Sequence, residues 1–210
     1  MAITVKSNGG GGIKLFIDDV KYKEDLNLKS FILTFKKSTL RYEFYYGSAV
    51  VYNNEIHILG GNNNGTKHYS YNGSTWSSES TLPYDFYFGS AVVYNNEIHI
   101  LGGSNNGTKH YSYNGSTWSS ESTLPYEFYY GSAVVCNNEI HILGGDNNKT
   151  KHYSYNGSTW SSETTLPYEF YHGSAVVYNN INLLGGYNNS ASSTNNISHY
   201  VLAVTLYEEV

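Results

Sequence analysis

The chain has 210 residues, 40% hydrophobic and 14% charged, a composition that folds into a core and excludes a disordered segment. Its net charge of −5 has two unlike parts: residues 1–41 carry +4, and residues 42–210 carry −9. The acidic body argues against nucleic acid as a partner, since phosphates are neutralised by Lys and Arg, and a single cysteine excludes an internal disulfide framework.

The first ten residues, MAITVKSNGG, lack the apolar core of a signal peptide. No stretch approaches the roughly 20 apolar residues that span a bilayer. The expectation is therefore a cytoplasmic or particle-associated protein with no membrane insertion. Ile13–Tyr22 reads as a hairpin turning at Asp18-Asp19, and Phe31–Leu40 reads as a worn copy of the TWSSESTL stretch found later in the chain. The composition changes at 41/42, which sets an N-terminal segment 1–41 beside a body of 42–210.

The body is a repeat. GSAVVYNNEIHILGG stands at 47–61 and 89–103, at 131–145 with Cys136 replacing a tyrosine, and in a shorter form at 173–186. Trp76, Trp118 and Trp160 are 42 residues apart, as are Pro83, Pro125 and Pro167. Units start at Tyr42, Tyr84, Tyr126 and Tyr168, and such a period dictates the architecture.

Within a unit every element is a strand. Ser48–Tyr52 is a short β-branched run, Asn53-Asn54 a tight turn, and Glu55–Leu59 an alternating run stopped by Gly60-Gly61. Lys67–Tyr71 alternates again, and Asn72-Gly73 predicts a type I′ hairpin with positive φ at both residues. Thr75–Glu79 is a fourth strand, and Leu82-Pro83 leads out. Four antiparallel strands every 42 residues describe one propeller blade.

The glycine pair after the second strand, an aromatic in the third and a Trp opening the fourth resemble the kelch repeat over residues 42–206. The Asn72-Gly73 hairpin is shorter than the usual kelch one, and the unit is shorter than the roughly 50 residues of that family. The resemblance implies an all-β, kelch-like β-propeller of four blades starting near 42, 84, 126 and 168. The fourth unit lacks the NGSTW hairpin, so an N-terminal strand at 31–37 is expected to close the ring, Phe35 standing for the tryptophan. Five blades are the alternative.

In such a blade the loops before the first strand and after the second share one end, the upper face. It carries a Tyr-Glu/Asp-Phe-Tyr motif four times and Asn-rich loops at 62–67, 104–109, 146–151 and 187–196. Tyr with Asn, Ser and Gly combines rigid contact area with adaptable hydrogen bonding, and fourfold copies give avidity for a repetitive ligand. The expected ligand-binding set is Tyr42, Glu43, Tyr45, Tyr46, Tyr84, Asp85, Tyr87, Phe88, Tyr126, Glu127, Tyr129, Tyr130, Tyr168, Glu169, Tyr171 and His172. Sugar C–H faces stack on aromatic rings while carboxylates and amides bind hydroxyls, so a glycan or a protein is the expected partner. A structural subunit forming a homo-oligomer through that face is the rival reading.

His57, His99 and His141 recur in the second strand, and His68, His110 and His152 in the third. A metal ring is not expected, because the copies belong to different blades and unit four carries Asn182 in the His57 slot. No cofactor or catalytic residue is expected either. Kelch-type sugar-modifying enzymes make catalysis the third reading, but Cys136 merely fills a tyrosine slot once in four units.

Overall fold

The computed structural model describes residues 3–7, 13–17, 40, 43–178, 180–185 and 199–200. The chain divides into two compact units, Met1–Lys37 and Ser38–Val210. In the first, β1 (Ile3–Ser7) pairs antiparallel with β2 (Ile13–Ile17), Ile3 opposite Ile17 and Ser7 opposite Ile13. Ile13–Ile17 thus pairs with the residues before it, and the expected turn at Asp18-Asp19 lies outside the described residues.

The second unit is all β among the described residues: repeated antiparallel sheets with a blade-like order. The first sheet is β3 (Ser48–Tyr52), β4 (Glu55–Leu59), β5 (His68–Tyr71) and β6 (Trp76–Ser78), in that order. The second repeats it with β7 (Ser90–Tyr94), β8 (Glu97–Leu101), β9 (His110–Tyr113) and β10 (Trp118–Ser120). The third uses β11 (Ser132–Cys136), β12 (Glu139–Leu143), β13 (His152–Tyr155) and β14 (Trp160–Ser162). The fourth has three strands, β15 (Gly173–Tyr178), β16 (Asn180–Gly185) and β17 (His199–Tyr200). Its register is that of the first sheet: Leu184 faces His199 as Leu59 faces His68.

Turn chemistry explains the tight links. Asn53 and Asn54 have φ of 48° and 63°, the left-handed pair a two-residue hairpin needs and one that Asn tolerates. At the next turn only Gly73 has positive φ. Asn72 instead accepts the N–H groups of Ser74 and Thr75 on its side-chain oxygen, both at 2.9 Å. The expected type I′ turn is therefore an Asx-type loop of residues 72–75, in which the Asn72 side-chain oxygen replaces a backbone carbonyl as acceptor and Asn72 N–H donates to Thr75 O at 3.3 Å. Asn114→Ala, which removes the same two bonds at 3.0 Å, should cost about 1 kcal/mol in urea unfolding.

The sheets stack face to face. Val50, Tyr52 and Leu59 of the first meet Ala91, Val93, Ile98 and Ile100 of the second, and Leu82, Tyr84 and Phe86 fill the seam. Val92, Tyr94 and Leu101 meet Ile140 and Ile142 in the same way around Phe128. Phe86, Phe128 and Phe170 are completely buried. A serine hydroxyl stitches each innermost strand to the next: Ala91, Ala133 and Ala175 N–H donate to Ser48, Ser90 and Ser132 Oγ at 3.0–3.1 Å. The described residues do not close these sheets into a ring, and the expected closing strand, 31–37, lies outside them.

Candidate functional site

Two segments of each of the first three repeats meet at one end of the sheets, and the expected fourth loop, 187–196, lies outside the described residues. Asn62 N–H donates to Tyr45 O at 3.0 Å, while Gly61 N–H reaches Phe86 O of the next repeat at 2.9 Å. The glycine pair makes this approach possible. Gly102 has φ of +64°, and a Cβ there would lie 2.0 Å from Phe128 O. The loop after the second strand is thereby clamped between two Tyr-Glu/Asp-Phe-Tyr segments, which gives the end surface a fixed shape.

The expected ligand-binding residues divide into three groups. Tyr84 and Tyr126 leave the surface: both are buried, and their hydroxyls donate to Gly102 O and Gly144 O at 2.9 and 3.0 Å. Burial raises both hydroxyl pKa values far above the ordinary range, so they stay structural donors. Tyr168 is half-buried, Tyr171 is buried beneath the Lys149 ammonium, and Tyr42 lies outside the described residues. Tyr84 and Tyr126 lie among the core residues of the seams, each two residues after a buried leucine, Leu82 or Leu124.

Tyr45, Tyr87 and Tyr129 are half-buried and bridged to the loops. Asn63, Asn105 and Asn147 side-chain amides donate to their hydroxyls at 3.0, 2.9 and 2.6 Å. Burial, then Asp146 and Glu127, push the Tyr129 hydroxyl pKa up, so it remains a neutral donor and acceptor. The carboxylates Glu43, Asp85, Glu127 and Glu169 are all exposed on this end.

The third group is a continuous row. Phe88 N–H donates to Tyr46 O at 2.8 Å, Tyr130 N–H to Phe88 O at 2.9 Å, and His172 N–H to Tyr130 O at 2.8 Å. Their rings follow, with centroids 4.4, 4.3 and 4.1 Å apart and planes tilted by about 45°. All four residues have φ between 54° and 62°. A bulky side chain in the left-handed region costs about 1–3 kcal/mol and persists where its surroundings impose it. Tyr46, at the head of the row, is 56% exposed.

At this end the second and third repeats each carry a shallow groove. The second is lined by residues 103–109 with Glu127 and Tyr129, and the third by residues 146–151 with Glu169. Gly107 lines the groove of the second repeat, and a Cβ added there would lie 2.8 Å from Glu127, as one on its equivalent Gly65 would from Asp85. The third repeat has Lys149 there, and its ammonium pairs with Glu169 at 3.2 Å. The groove of the second repeat thus presents the Glu127 carboxylate and loop amides to solvent, while that of the third carries an ion pair in its lining.

No family model and no curated protein matches the chain. Among solved structures it is similar to YjhT, with a TM-score of 0.62 at 15% identity. The match covers 70% of this chain and 59% of that one, so the chain spans about three-fifths of that structure's length. The likeness is one of fold.

The recurrent histidines pair within each sheet. His57 Nδ1 lies 2.9 Å from His68 Nε2, His99 Nδ1 2.8 Å from His110 Nε2, and His141 Nδ1 2.9 Å from His152 Nε2. His68 Nδ1 is 3.3 Å from Ser80 O, which can only accept, so Nδ1 carries the proton and Nε2 accepts from His57. The pairs lie in the seams, against Tyr113 and Trp118 of the next repeat. Among the described residues no group of three or more His, Cys, Asp or Glu is placed to hold a metal ion.

Proposed function

We propose that the chain is built of kelch-like propeller blades and acts as a non-catalytic binding module for glycans on this end surface. The observation that supports it is the strained aromatic row Tyr46–Phe88–Tyr130–His172. A fold that needed only a turn here would place Gly or Asn at four left-handed positions. Three aromatics and a histidine stand there instead, and residues held against their conformational preference cluster at binding surfaces.

The row offers ring edges and the outer face of Tyr46 to sugar C–H groups. The exposed Glu43, Asp85 and Glu127, with the amides of Asn63 and Asn105, offer acceptors and donors to hydroxyls. Repetition at a fixed spacing suits a repetitive ligand, since a second contact becomes intramolecular once the first is made.

The test is a glycan-array screen of the parent beside a Tyr46→Gly, Phe88→Gly, Tyr130→Gly variant. Glycine relieves about 1–2 kcal/mol of left-handed strain at each site, against about 0.5–1.5 kcal/mol of ring pairing lost. The variant should therefore melt within a few degrees of the parent while its glycan signal disappears. Equal binding by both would refute the row as the site. No binding by the parent would redirect the reading to a protein ligand.

A further inference from the structure

The stack of sheets ends in two open faces, and they are the two halves of one seam. In the first two internal seams a tyrosine of the preceding repeat reaches the hairpin glycine of the following one: Tyr52 Oη lies 3.3 Å from where a Cβ would sit on Gly115, and Tyr94 Oη 3.2 Å from that of Gly157. Gly73 of the first repeat has nothing within 4 Å. Tyr178 of the fourth repeat, in the slot of Tyr52 and Tyr94, is 76% exposed where those two are 3%. One end lacks the tyrosine that the other end holds out.

Three further features pair the same faces. Val51 is 68% and Ile56 43% exposed, whereas Ile98 and Ile140, in the slot of Ile56, are fully covered. Val176 is 41% exposed, against 8% for Val92 and Val134. Ser174 stands last in the row of stitching serines, and Ala49 first in the row of alanine donors.

We propose that copies of this chain associate head to tail, the fourth-repeat face of one (Val176, Tyr178, Ser174) seating on the first-repeat face of another (Ala49, Val51, Ile56, Gly73). The occupant is a second copy because the contact already exists three times inside the chain, between near-identical sequences. It is a heterologous contact, which forms a ring where the rotation closes and a filament where it does not. The upper face lies at the ends of these sheets, so assembly would extend the aromatic row from one copy to the next.

The experiment is analytical ultracentrifugation of the full chain and of two variants at exposed positions, Val51→Asp and Tyr178→Asp. The parent should form species larger than a monomer as concentration rises. Each variant buries an unpaired carboxylate on assembly, so each should self-associate about a hundredfold more weakly. Each variant also keeps one intact face, so mixing the two should restore association that stops at a 1:1 pair. A monomeric parent at all concentrations would overturn the proposal in favour of closure within one chain by residues 31–37. Association untouched by both variants, or no pair on mixing, would overturn it equally.

Discussion

Lowering the pH from neutrality to about 4 should unfold the repeats, with the loss starting near pH 6.5. Burial, followed by the charge of the paired His57, holds the His68 pKa down at about 4. The same causes hold His110 at about 3, and burial lowers His57, His99, His141 and His152 as well. In the unfolded chain these imidazoles titrate near 6.5. Between the two values the unfolded state binds more protons, so stability is complete above about pH 6.5 and falls as pH drops through the folded values. At about 1.4 kcal/mol per unit, His68 and His110 each withdraw about 3 kcal/mol by pH 4, a large share of the 5–15 kcal/mol of a typical domain.

The geometry makes this more than a burial effect. Each pair shares one proton between two ring nitrogens, and once both rings are cationic two donors face each other at under 3 Å. Urea midpoints measured from pH 8 to pH 4 would show the decline. A double variant, His99→Leu with His110→Phe, removes one pair without orphaning a donor and should flatten the curve by about a third. A parent whose midpoint is the same at pH 7 and pH 4 would refute the account.

The strands were legible because their signals are local. β-branched runs, the Asn-Asn turn and the glycine pair each state a backbone conformation within five residues, and the 42-residue period multiplies them. The histidine pairs were legible in principle. With Leu59 opposite His68, residues 57 and 68 become diagonal neighbours on one face, and alternation from the glycine pair yields that register. Reading the copies as a ring across sheets, rather than as pairs within one, missed it.

The aromatic row had a fainter signal. Position 46 and its equivalents read Tyr, Phe, Tyr and His, and nothing in those letters announces positive φ, because the conformation is imposed by the hydrogen bonds between repeats. Tyr84 and Tyr126 were misplaced for a related reason. A tyrosine beside an acid reads as surface, yet the seam between stacked sheets has room for the ring and a carbonyl for its hydroxyl.

Gly102→Ala should lower the melting temperature by about 10 °C and weaken the upper-face site at the same time. Part of the cost is the left-handed φ of +64°, about 1–2 kcal/mol for any residue with a Cβ. The larger part is space: the new Cβ would lie 2.0 Å from Phe128 O and 3.0 Å from Gly107 O, both backbone atoms that cannot rotate away. Phe128 must retreat, which strains the Gly103 N–H bond to its carbonyl at 2.8 Å and loosens a side chain that is completely buried. The sum is about 4 kcal/mol, or roughly 10 °C in a unit of this size. Gly73→Ala supplies the control, since its φ of +88° is equally left-handed but its Cβ meets nothing within 4 Å. It should cost about 1–2 kcal/mol, the strain alone. The difference between the two melting temperatures isolates the seam. Because Phe128 leads directly into Tyr129 and Tyr130, the same displacement moves the third ring of the row, so ligand binding should fall with stability in Gly102→Ala and hold in Gly73→Ala. Equal melting temperatures for the two variants would mean that the glycine pair serves chain conformation and not the close approach of one repeat to the next.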